Sequence, residues 1–218
     1  MKKAKIFSGC LLLISLMIFS CTSGVKDIDG NSYSALAIGN QTWMRENLNV
    51  SRFRNGDSIP EVKSAEEWVK SGHEGKPAWC YMDNNPVNGK KYGKLYNWYA
   101  EIDPRGLAPK GWHLASDAEW TKVINFFGGG IPAALKMRTS GLAEKSTGGV
   151  QNDFSGLPGG CRNSFGVFYG VDSFGYWWSA TENNTETSWM YILNYIQCNI
   201  NSVNFGKTYG ASVRCLKE

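Results

Sequence analysis

Side chains alternate along the first part of the chain. Ser34, Leu36 and Ile38 fall on one face of an extended segment, and Tyr33, Ala35 and Ala37 on the other. Asp29-Gly30-Asn31 reads as a turn before this segment, and Gly39-Asn40 turns it into Gln41-Thr42-Trp43-Met44. This is a strand–turn–strand pattern. Asn55-Gly56-Asp57 marks another turn, and Ser64 to Lys70 reads as a short helix. A clearer helix begins at Ser116, a good N-cap, with Glu119 three residues on as the other half of a capping box. Trp120, Val123, Ile124 and Phe127 then recur at helical spacing until Gly128-Gly129-Gly130 stops the run. Ile131 to Met137 reads as a second short helix. Beyond Phe154 the pattern predicts strands near Gly159–Arg162, Val167–Tyr169, Tyr176–Ala180, Ser188–Asn194, Gln197–Asn204 and Ala211–Leu216. Strands early and late with helices between them predict an α+β fold.

The N-terminus has a different character. Lys2, Lys3 and Lys5 precede an uncharged apolar run from Ile6 to Phe19. A charged start, an apolar run and a small residue at Ser20 read as a secretory signal peptide. The run is too short for a comfortable transmembrane helix. With Cys21 directly after Ser20, the stretch resembles a bacterial lipobox, whose cysteine carries lipid and becomes the mature N-terminus. The alternative is an ordinary signal peptide with a chance cysteine. The expected organisation is a signal over residues 1–20, a lipidated Cys21 and tether over 21–26, and one domain over 27–218. The destination is the outer membrane as an exported lipoprotein, on its periplasmic or external face.

Composition narrows the field. The chain has 218 residues, 13% of them aromatic and 19% charged. It can bury roughly 70% of its unfolded surface, and it is neither a disordered nor a coiled-coil sequence. Loss of residues 1–20 removes Lys2, Lys3 and Lys5 from 23 basic residues set against 19 acidic ones, which leaves the mature chain near neutrality. Without a basic run, nucleic-acid binding has no electrostatic footprint.

Cys10 leaves with the signal and Cys21 goes to lipid. Cys80, Cys161, Cys198 and Cys215 remain, an even number in an oxidising compartment, which suggests two disulfides in one of three pairings. Buried free thiols are the alternative. His73 and His113 are the only histidines, so a zinc site is not expected. His113, between Trp112 and Leu114, reads as a hydrogen-bonded structural residue.

Several segments carry a family signature. They include Gln41 to Leu48 (QTWMRENL), Tyr92 to Tyr99 (YGKLYNWY), Gly111 to Trp120 (GWHLASDAEW), Phe154 to Gly160 (FSGLPGG), Trp177 to Thr181 (WWSAT) and Ser212 to Cys215 (SVRC). In this order they resemble the Fibrobacter succinogenes major paralogous domain family, found on exported bacterial proteins that are often lipoproteins. No catalytic residue set accompanies that resemblance. A looser similarity is to the C-type lectin-like fold. It implies a twisted, mostly antiparallel sheet with two short helices and long loops, and nested disulfides Cys80–Cys215 and Cys161–Cys198. The formylglycine-generating enzymes have a comparable helix start, but they work with a cysteine pair, and Cys215 has no near neighbour in sequence.

The chemistry therefore points to binding, with no enzyme activity expected. There is no G-x-S-x-G elbow, and Gly128-Gly129-Gly130 follows a helix where a phosphate loop would open one. Asp27, Asp29 and Asn31 alternate oxygen ligands, but the spacing is not that of a calcium loop, and a hairpin turn is the simpler reading. Glu182, Asn183 and Asn184 form a second oxygen-rich cluster and the weak calcium candidate; otherwise no cofactor is expected. All nine tryptophans lie in the mature chain. Trp177 and Trp178 are neighbours in a strand and must face opposite sides. Tyr176, Trp178, Trp189 and Tyr191, beside the Glu182–Asn184 loop, are the candidate sugar-binding surface, with core packing as the alternative. The expected function is recognition or adhesion at the cell envelope. The membrane would be held through lipid, and a glycan or an envelope or surface protein would be the partner. A structural or adaptor subunit of a surface appendage is the second reading. An enzyme-like domain with a reactive thiol is the third.

Overall fold

The computed structural model describes residues 24–138 and 154–218. The expected signal peptide and Cys21 lie outside the described residues. No described helix is long and apolar enough to cross a membrane.

The chain runs β1 (Val25–Lys26), β2 (Ser32–Tyr33), β3 (Ala35–Ile38), β4 (Gln41–Met44), α1 (Ala65–His73), β5 (Trp79–Cys80), α2 (Pro86–Tyr92), β6 (Leu95–Asn97) and α3 (Trp98–Glu101). It continues through β7 (Trp112–Leu114), α4 (Asp117–Phe126) and α5 (Gly130–Met137). The last part holds β8 (Gly159–Arg162), β9 (Phe168–Val171), β10 (Phe174–Glu182), β11 (Thr187–Asn194), β12 (Asn199–Gly206), β13 (Gly210–Ala211) and β14 (Cys215–Lys217). The fold is α+β and its sheets are mostly antiparallel.

In the larger sheet the strands lie in the order β12-β11-β10-β8-β13-β6-β5, with β9 on β8. The β10–β8 pairing is parallel, at Gly175 and Gly160. A second sheet has the order β3-β4-β14-β7, and β1 pairs with β2 alone. The last strand thus returns between β4 and β7, joining the two ends of the domain.

Helices are more numerous than the two that the lectin-like resemblance implies. The capping box at α4 is complete: Glu119 N donates to Ser116 Oγ at 3.4 Å, and Ser116 N donates to Glu119 Oε2 at 2.9 Å. Glu119 Oε1 also holds His113 Nε2 at 2.7 Å, so His113 is structural as expected. α2 is one of the unexpected helices. Asn85 caps it, with Pro86 opening its first turn. Its Gly89 admits the Tyr81 ring, since a Cβ there would lie 2.2 Å from Tyr81 Cε1. The strand expected over Gln197–Asn204 begins later, because Cys198 turns the chain with a φ of 51°.

β10 has a core on each face. Trp178 packs with Trp98, Tyr176 and Met190 in one cluster; Trp177 packs with Trp43, Trp120 and Phe154 in the other. The opposed faces follow from strand geometry. The second face of the strand meets further packed elements: Trp120 of α4 lies 6.1 Å from Trp177 and stacks on Tyr191 at 5.0 Å. Both of these indoles find an acceptor, as buried tryptophans do. Trp177 Nε1 donates to Asn47 Oδ1 at 2.8 Å and Trp178 Nε1 to Tyr96 O at 2.9 Å.

The expected disulfides are not formed. Cys80, Cys161, Cys198 and Cys215 are all free. The nested pairing fails because its members lie apart. Cys80 sits in a small cluster with Trp68 and Met82, while Cys215 and Cys161 belong to the main one. Cys198 lies at the β11–β12 turn, where its sulfur receives Arg138 Nη1 at 3.2 Å.

Candidate functional site

The aromatic surface expected on the C-terminal strands does not exist as a surface. Tyr176, Trp178 and Tyr191 are core residues, and Trp178 has no exposure at all. Trp189 alone of the four is half-buried. The neighbouring loop is exposed, and its side chains hydrogen-bond to nearby residues. Glu182 pairs with Lys207, Asn183 Nδ2 donates to Thr187 Oγ1 at 2.9 Å, and Asn184 Oδ1 accepts from Glu186 N and Thr187 N. Among the described residues no three His, Cys, Asp or Glu side chains gather as a metal site.

The Asp27–Asn31 turn is also a polar hairpin turn and not a cation loop. Asp27 is buried and saturated with donors. Its Oδ1 accepts from Asp29 N and Asn31 N, both at 2.9 Å; its Oδ2 accepts from Asn31 Nδ2 at 2.7 Å and Tyr33 OH at 2.6 Å. This fixes the turn and aims Asp29 and Asn31 outward into a cleft.

That cleft has a volume of about 530 Å3 and opens to solvent. One wall is the β1–β2 turn with Asp29 and Asn31. A second is the segment after β4 with Asn49, Ser51 and Arg52. The far side carries Glu61, Trp79 and Tyr81, and Lys94 lies at its base. Asp29 is held by Arg52 Nε at 2.6 Å and Ser51 N at 2.5 Å. Burial works against its charge, but these partners together hold its carboxyl below the usual aspartate range. Trp79 and Tyr81 meet edge to face at 5.1 Å.

Lys94 is the unusual member. It is only 3% exposed, yet among the described residues no carboxylate lies within ion-pair distance of it. Its Nζ donates to Asn49 O at 2.5 Å and Asn49 Oδ1 at 3.2 Å, and sits 4.4 Å from the Trp79 ring centre. Lysines are rarely buried without a paired charge. Burial lowers its pKa, against the pull of Asp29, Asp27 and Glu61 farther off. Tyr81 moves the other way: burial raises its pKa, and the Glu61 and Asp29 charges add to the shift.

The cleft thus offers carboxylate, amide and carbonyl acceptors beside guanidinium, ammonium and amide donors, with a tyrosine ring between them. Hydroxyl groups on a ligand both donate and accept, so they fit such a mixed lining. No sequence motif marks these residues for binding; Asp29 and Asn31 carry only the alternating-oxygen pattern of the turn. They come from five separate segments, and no linear motif unites them.

The buried thiols do not resemble nucleophiles. Burial pushes Cys80 and Cys161 each up to about 12, and raises Cys215 as well. A reactive thiol needs the opposite shift.

A protein-family model described as Fibrobacter succinogenes major domain matches residues 36–217. No curated protein and no solved structure matches the chain.

Proposed function

Because the chain belongs to the Fibrobacter succinogenes major domain family, we propose that it is a lipid-anchored recognition domain of the bacterial envelope that binds glycans. Export, lipidation at Cys21, an outer-membrane location and a lectin-like arrangement of the sheets are parts of this proposal. The observation that carries it is the cleft between the β1–β2 turn and Tyr81, whose mixed donors and acceptors surround an aromatic ring. Sugars are held by this combination of ring contact and oriented polar groups.

A glycan array tests it. Every described element lies at or after Val25, so a chain starting at residue 22 keeps them all. Binding is expected with calcium and equally with chelator, and Tyr81→Ala should abolish it. An array with no bound glycan would sink the proposal and shift weight to a protein partner.

That second reading has its own support. Phe126, Ile131 and Leu135 are 54%, 57% and 46% exposed on neighbouring helices α4 and α5. Exposed apolar groups of this kind suit an adaptor or appendage subunit.

A further inference from the structure

A second cavity, of about 430 Å3, adjoins the first. Asn31 and Asn49 line both, and Asn31 Nδ2 donates to Asn49 O at 3.2 Å, so the saddle between the two is built and held. Beyond the saddle the lining changes in character. Arg45, Lys90 and Lys91 face this second cavity, with Glu46 the one carboxylate among its lining residues. Glu46 is already engaged by Ser34, through N at 2.7 Å and Oγ at 3.0 Å.

We infer that the two cavities form a single groove that binds an extended, carboxylate-bearing glycan lengthwise, its sugar units crossing the Asn31–Asn49 saddle. This rests on the glycan reading above and narrows it from sugars in general to acidic polysaccharide chains.

Two arguments carry it. The first is size. Each cavity lies in the range of small-molecule sites, about 300–1,000 Å3. A lone sugar would leave one of them empty, whereas a chain uses both.

The second is charge. Five cationic side chains line the two cavities (Arg45, Arg52, Lys90, Lys91 and Lys94) against three carboxylates (Asp29, Glu46 and Glu61). Asp172 lies 3.7 Å from Lys91 and offsets part of the excess, and Lys63 lies 3.4 Å from Glu61. The mature chain as a whole is close to neutral, so the positive excess is concentrated in this groove. Lys94 lies buried at its base, and among the described residues no carboxylate pairs with it. Complementary charge on a ligand steers its approach and fixes its register.

The test is calorimetric titration of the chain starting at residue 22 with length series of galacturonate, mannuronate and glucuronate-containing oligomers. Neutral galactan and glucan series of the same lengths serve as comparison. At least one uronate series should gain about tenfold or more in affinity from monosaccharide to long oligomer and then level off, as linked subsites do. Its binding should weaken as salt is raised. The charge-reversed pair Lys90→Glu with Lys91→Glu should erase the gain with length while circular dichroism stays unchanged. Neutral series that bind as well as the uronates, or affinity independent of length, would overturn the inference and leave the glycan reading standing. No binding to any glycan, on the array or in titration, would take down both.

Discussion

Arg214 donates through Nε to Asn47 Oδ1 at 3.0 Å, 167 residues away along the chain. Its remaining donors go to main-chain carbonyls: Nη1 to Met44 O at 3.1 Å and Phe154 O at 2.7 Å, and Nη2 to Ser155 O at 3.0 Å. The guanidinium lies 4.5 Å from the Phe154 ring centre. One buried side chain therefore joins the segment after β4, the approach to β8 and the approach to β14. Only a planar fork with several fixed donors can do this.

Arg214→Ala should destabilise the fold by roughly 3–5 kcal/mol, the cost of a cavity and of buried carbonyls left without donors. Arg214→Lys should recover little of that, because an ammonium cannot reach the same carbonyls. Urea unfolding of the three proteins measures both. A lysine variant as stable as the parent would refute the carbonyl-clamp role.

Trp178→Ala separates core from surface. The indole is fully buried and donates to Tyr96 O, so truncation should cost about 3–5 kcal/mol in stability. Tyr81→Ala removes a partly exposed ring at the cleft and should cost far less. Thermal unfolding should show a large drop in melting temperature for the first and a small one for the second. Equal drops would mean that Tyr81 is structural.

The same pair of residues shows what the sequence could disclose. Strand period placed Trp177 and Trp178 on opposite faces, and that is where they lie. Whether the second face met solvent or another layer depends on where α4 packs, a tertiary fact with no local signature. Cysteine parity suggested disulfides for a similar reason: even numbers are counted along the chain, but pairing needs proximity. The α4 capping box was legible because its two residues interact across one turn. α2 was not, because Gly89 and Asn88 are poor helix formers. The cleft was least legible, since it is assembled from five short segments.

Glu101 should make stability depend on pH. The carboxyl is fully buried, and among the described residues neither oxygen has a hydrogen-bond partner. Burial raises its pKa well above the usual glutamate value, so the folded state holds the proton more tightly than the unfolded chain. Its contribution is complete below about pH 4.3, the unfolded value, and is lost as pH rises through the folded pKa. Cys215 is a titratable neighbour, and its thiol is itself raised by burial, with Glu101 adding to the shift. Glu101→Gln should flatten the decline and be the more stable protein near pH 8, by about 1–3 kcal/mol. Urea midpoints at pH 5, 6.5 and 8, with the parent as reference, test this. Parallel curves for the two proteins would show that Glu101 does not titrate.

The thiols give a prediction with a simple count. Cys80, Cys161 and Cys215 are buried and Cys198 is half-buried, all four free. In the chain starting at residue 22, a thiol reagent should modify Cys198 first and the other three only on unfolding. No reactive thiol in denaturant would mean that disulfides exist after all.

Lys94 is the residue at which stability and binding should part. Its ammonium lies 4.4 Å from the Trp79 ring centre and 5.2 Å from that of Tyr81, and among the described residues no carboxylate pairs with it. Burying such a charge opposes folding, while the methylene stem favours it. Lys94→Met keeps an apolar stem and removes the charge. The hydrogen bonds to Asn49 are lost, but the desolvation cost disappears with them, so stability should change by less than about 1.5 kcal/mol. Acidic glycan binding should nevertheless fall several-fold and lose much of its salt dependence, because the cation that a ligand carboxylate would meet is gone. Melting curves and titrations on the same protein decide the matter. A variant that unfolds readily would make Lys94 a structural residue, and one that binds acidic glycans as tightly as the parent would remove it from the site.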